Sequence, residues 1–137
     1  MTEPTINLLA VLVATVAFFA LGALWYSPLL FAKPFMAALG KTEEELMEGF
    51  NPLRTYGLEF LARLVTAYVL AHMVDYAGAT TIAGGLQTAF WLWLGFVATS
   101  GLASVTFEGR SAVLYALNAG YQLAGLLIVG GILAVWT

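Results

Sequence analysis

Four apolar runs, each long enough to cross a bilayer, constrain this chain more than anything else in it. They cover residues 6–27, 57–76, 81–105 and 112–136, and only the connection 28–56 is both long and hydrophilic. A helix rises 1.5 Å per residue, so about twenty apolar residues span a hydrocarbon core of roughly 30 Å. Charged residues make up 9% of the chain against 61% hydrophobic. A soluble domain carries about 25% charged residues, so this chain lacks the charge to cover a water-facing surface. The expectation is an all-α polytopic membrane protein in which residues 1–137 form a single domain. That domain is a bundle of four transmembrane helices with a short amphipathic cytoplasmic helical loop between the first and second.

Local signals place the boundaries. Residues 1–5 hold no Lys or Arg, and the apolar run after them exceeds a signal core, so the first run is expected to remain as a membrane helix. Trp25 and Tyr26 close that run as interfacial aromatics, and Ser27-Pro28 ends it. In the connection, residues 28–40 read as a short interfacial helix. Thr42 and Glu45 form a capping box, and Asn51-Pro52 reads as the N-cap and first position of the next helix. Four-residue spacing of small residues, Gly95/Thr99 and Ser100/Ser104, is a helix-contact signal in the third run. Gly84-Gly85 reads as a flexible entry to it.

Charge distribution gives an expected orientation. With four spans, the first connection and the turn near residue 109 lie on one side, and both termini lie on the other. The first side carries Lys33, Lys41, Arg54 and Arg110, and the second carries no Lys or Arg. The positive-inside rule then places both termini outside the cytoplasm of a bacterial inner membrane. The expected surroundings are the lipid bilayer and either further copies of this chain or a membrane partner subunit. No basic run suggests nucleic acid. The chain has no cysteine, which excludes disulfides and thiolate chemistry within it.

The second span stands out because it carries Glu59, Arg63, His72 and Asp75. Ionisable groups at membrane depth cost several kcal/mol and face protein or water. The span is therefore expected to sit amid its neighbours. Glu59 and Arg63 are spaced i,i+4, the better order for a helical ion pair. With Glu108 and Arg110 of the short turn they are expected to form a structural ion network. His72 and Asp75, with Tyr68 one turn away, are a candidate ligand-binding group, because a histidine beside a carboxylate can relay protons. Asn118, Tyr121 and Gln122 of the fourth span are the other candidate ligand-binding group, since amides in lipid need partners. Zinc wants about four ligands, and no such set is present. No metal, cofactor or catalytic residue is expected.

The segments LGALWYSPLLF (21–31), WLWLGFVATS (91–100), FEGR (107–110) and NAGYQL (118–123) resemble the domain-of-unknown-function family 1761. The resemblance implies a small four-helix membrane protein and carries no activity with it. The matching positions, among them Trp25, Tyr26, Trp93, Asn118, Gly120 and Tyr121, cluster at one end of the first, third and fourth spans. That clustering points to one shared site in the inner leaflet. The functional expectation is a small homo-oligomeric transporter or ligand-binding membrane protein with a polar site between helices. A non-catalytic accessory or scaffold subunit is the alternative, and an enzyme acting on a lipid or quinone is the third reading.

Overall fold

The computed structural model describes residues 6–136. Helix α1 covers Leu8–Trp25, with the Asn7 side chain accepting from the Ala10 N–H at 3.1 Å. Such a cap satisfies a donor that the first turn leaves unpaired. Two short helices follow, α2 over Ala32–Leu39 and α3 over Glu43–Met47. Helix α4 covers Pro52–Tyr76 and starts earlier than the apolar run at 57. The reason is local: Asn51 accepts from the Arg54 N–H, and Pro52 presets the first helical φ. Helix α5 covers Ile82–Thr106, with a π turn at Leu94–Ala98, and α6 covers Ala112–Val135. Gly109, at φ +67°, makes the turn between them, a conformation that a side chain would strain.

The fold is all-α, with no strand among the described residues, and α1, α4, α5 and α6 are each long and apolar enough to span a membrane. Below, the end carrying α2 and α3 is the loop end, and the opposite end is the terminal end.

The centre of the bundle is α6, which packs against α1, α4 and α5. It buries nine residues where α4 buries four, so the fourth span and not the second is the one the others surround. Small residues explain the difference. At the terminal end the α5 and α6 backbones touch: a Cβ on Gly85 would lie 2.2 Å from the Gly130 carbonyl oxygen. Ala89 and Ala134, one turn further along each helix, keep the seam narrow. Gly85 is therefore a packing residue and not a loose entry. The small residues expected to pack, Gly95, Thr99 and Ser100, are exposed, with open space beside Gly95.

Between α1 and α6 each helix receives an aromatic ring from the other. Phe18 fills the space at Gly125, where an added Cβ would lie 2.1 Å from a ring carbon. Tyr121 fills the space at Gly22, where a Cβ would lie 2.7 Å from its hydroxyl oxygen. The two rings meet at 5.2 Å. Such close fits replace the hydrophobic drive that lipid cannot supply between helices.

Candidate functional site

Six consecutive residues of α6, 117–122, each meet a side chain or backbone group from another span. Trp25 donates its indole N–H to the Leu117 carbonyl at 3.1 Å, and Tyr26 donates its hydroxyl to Asn118 Oδ1 at 2.6 Å. Trp93 donates to the Ala119 carbonyl at 2.9 Å. Gly120 lies against the Trp25 ring. Tyr121 donates to the Phe18 carbonyl at 3.1 Å, and Arg63 Nη1 donates to Gln122 Oε1 at 3.0 Å. A helical carbonyl has a second lone pair, so it can accept an indole or hydroxyl without giving up its ladder bond. The three other spans are thus fastened to one short stretch of α6.

On the α5 side of that stretch the helices part. The π turn shifts the ladder, so that the Thr99 N–H reaches the Leu94 carbonyl and the Thr99 hydroxyl donates to the Gly95 carbonyl at 2.9 Å. The Ala98 carbonyl accepts instead from the Tyr115 hydroxyl of α6. π turns recur at functional sites because they move side chains off the regular helical register. Beyond it a cleft of about 220 Å³ opens between α5 and α6 near the loop end. Ser104, Arg110, Ser111, Asn118 and Gln122 line its polar part, and Val97 and Leu114 its apolar wall.

The structure places the expected site residues in three locations. Asn118 and Gln122 line the cleft, whereas Tyr121 is buried in the contact between α1 and α6. Tyr68 and His72 stack edge-on at 4.7 Å, and His72 Nδ1 lies 2.9 Å from the Tyr68 carbonyl oxygen. Asp75 is exposed and does not bridge His72; with Asn7 and Trp136 it borders a crevice of only about 30 Å³.

The charged residues do not form one network. Glu108 and Arg110 pair at 3.2 Å, but both are mostly exposed, with 59% and 64% of each side chain accessible. An exposed pair contributes about 0 to 1 kcal/mol, so this one does not clamp the bundle. Arg63 turns inward and forms no ion pair among the described residues. Its guanidinium lies 4.7 Å from the Phe18 ring centroid, it holds Gln122, and its buried Nε has no partner among the described residues. Glu59, one turn before Arg63, is exposed. Among the described residues, no three or more His, Asp or Glu side chains are grouped to hold a metal ion.

Sequence reasoning passed over Ser104, Ser111 and Tyr115 as site residues, and took Trp25 and Tyr26 for interfacial anchors. The signal that could have found the tryptophans and Tyr26 is the family resemblance, whose shared positions converge on residues 117–122. A family model described as "Protein of unknown function (DUF1761)" matches residues 9–134. No curated protein and no solved structure matches the chain. With nearly all of its length matched, the chain belongs to that family.

Proposed function

We propose that this member of the DUF1761 family is a small ligand-binding membrane protein of the transporter kind, with its site in the cleft between α5 and α6. One observation carries the reading: a cleft of about 220 Å³ opens between two spans, mostly apolar but lined on part of its wall by Ser104, Arg110, Ser111, Asn118 and Gln122. Polar groups at membrane depth are costly, and they persist where water or a ligand satisfies them. The cleft holds no nucleophile paired with a base, which favours binding over catalysis.

The loop end faces the cytoplasm of a bacterial inner membrane in this reading, because every flanking Lys and Arg lies there. The outer face of α4, where Tyr68, Asp75 and Tyr76 are exposed, supports assembly with further copies of the chain. Against lipid those groups would be unsatisfied. A stoichiometric foreign subunit in mild-detergent extracts would replace that homo-oligomer with the accessory-subunit reading.

The test uses purified protein and a panel of cations, anions and neutral polar solutes, scored by thermal shift and by flux in proteoliposomes. It is repeated on Ser104→Trp, whose indole fills the cleft from the α5 side. Saturable binding or flux that disappears on filling, with the melting temperature kept, is the expected result. Binding that survives filling, or none across the panel, rejects the reading.

A further inference from the structure

The cleft's ligand class follows from which way its two amides point. Arginine has five N–H donors and no acceptor. The Arg63 contact at 3.0 Å therefore fixes Gln122 with its oxygen toward α4. The Gln122 NH₂ is left for the cleft, which the residue lines. The Tyr26 hydroxyl, at the end of α1, donates to the Asn118 oxygen at 2.6 Å and so occupies it. Neither amide nitrogen has a hydrogen-bond partner among the described residues. Arg110 adds a guanidinium on the same lining, with one nitrogen engaged by Glu108. Two spans thus withdraw acceptors from the cleft and leave donors facing it.

We infer that the cleft takes an oxyanion, a carboxylate or phosphate group, held by Arg110 and by the NH₂ groups of Asn118 and Gln122. Charge-assisted hydrogen bonds to such groups are short and strong, and a guanidinium matches them in geometry. This rests on the cleft being the ligand site. Arg63 is a positioning residue: it touches Gln122 and not the ligand. It is well suited to that role, because its contacts are the Gln122 amide and the Phe18 ring and it forms no ion pair among the described residues. The oxyanion could belong to a soluble molecule or to a phospholipid headgroup, and both present the same chemistry to these donors.

Gln122→Glu separates binding from folding. The new carboxylate still accepts from Arg63, as a charge pair, so the melting temperature should stay or rise. The donor toward the cleft is replaced by a negative oxygen, so affinity for inorganic phosphate and acetate should fall at least tenfold. Asn118→Asp, which keeps the Tyr26 bond, should behave in the same way and serves if the first variant folds poorly. Arg63→Gln should weaken binding, and Arg63→Lys, which again donates to Gln122, should restore part of it.

Lipid is tested by native mass spectrometry of protein from nanodiscs containing phosphatidylglycerol or phosphatidylcholine. Retention of phosphatidylglycerol alone, lost in Gln122→Glu, assigns the oxyanion to a headgroup. Unchanged oxyanion affinity in both carboxylate variants overturns the inference, as does a native protein that binds none of these probes. If a cation or a neutral solute is instead bound and is lost in Ser104→Trp, the cleft stands as a site and only its anion preference fails.

Discussion

Gly130→Ala should lower the melting temperature of the detergent-solubilised protein more than any other single-methyl change in the bundle except that at its partner, Gly85. The added Cβ would lie 2.6 Å from the Gly85 carbonyl oxygen and 2.9 Å from the Ala89 Cβ. Real contacts of that kind do not occur, so α5 and α6 must move apart. No rotamer can relieve the clash, because the obstructing atoms are backbone and a Cβ. Overpacking a fitted interior costs typically about 1 to 3 kcal/mol and sometimes more, and a backbone obstacle puts this case at the top of that range. Gly85→Ala, with its Cβ 2.2 Å from the Gly130 oxygen, should lose as much. The double variant should lose less than the sum, since the first substitution already opens the seam. Unfolding in increasing denaturing detergent would measure all three. A loss for Gly130→Ala below about 0.5 kcal/mol, the scatter of ordinary surface changes, would show that the helices do not touch there.

Gly125→Ala should be the next most damaging, at about 2 kcal/mol, and it should be rescuable. Here the obstacle is the ring of Phe18, 2.1 Å from the added Cβ. A ring can turn or be trimmed, so Phe18→Leu in the Gly125→Ala background should recover part of the lost stability. In the native background Phe18→Leu should destabilise, because Phe18 is fully buried and supports the Arg63 guanidinium from below. The sign reversal of one substitution between two backgrounds is the expected observation. Purely additive losses would mean that Phe18 and Gly125 do not share space.

The architecture was legible in the sequence because the bilayer imposes it. Residues that start helices, Asn7, Thr42, Asn51, Thr81 and Ser111, act through local hydrogen bonds that a short window of sequence contains. Asn118 and Gln122 could be singled out as amides in an apolar run, and both line the cleft. Which span sits at the centre was not legible. Charge drew attention to α4, yet membrane packing is decided by where backbones can approach. The pairing of Gly85 with Gly130 depends on rotation and tilt, which no single helix encodes. The partner of Arg63 was missed for a related reason. Glu59 is close in sequence, but a half-buried guanidinium turned toward α6 meets Gln122, which is fifty-nine residues away. The π turn was also invisible, because it arises where the Tyr115 hydroxyl of another span can take up the Ala98 carbonyl.

The most direct test is side-chain amide NMR of the protein in micelles, titrated with inorganic phosphate. The chain has three asparagines and two glutamines, Asn7, Asn51, Asn118, Gln87 and Gln122, so five NH₂ pairs report independently. Only Asn118 and Gln122 line the cleft. The account predicts that these two pairs shift saturably with a common affinity, while Asn7, Asn51 and Gln87 stay in place. Five pairs that remain still, or that all drift together without saturating, would contradict it.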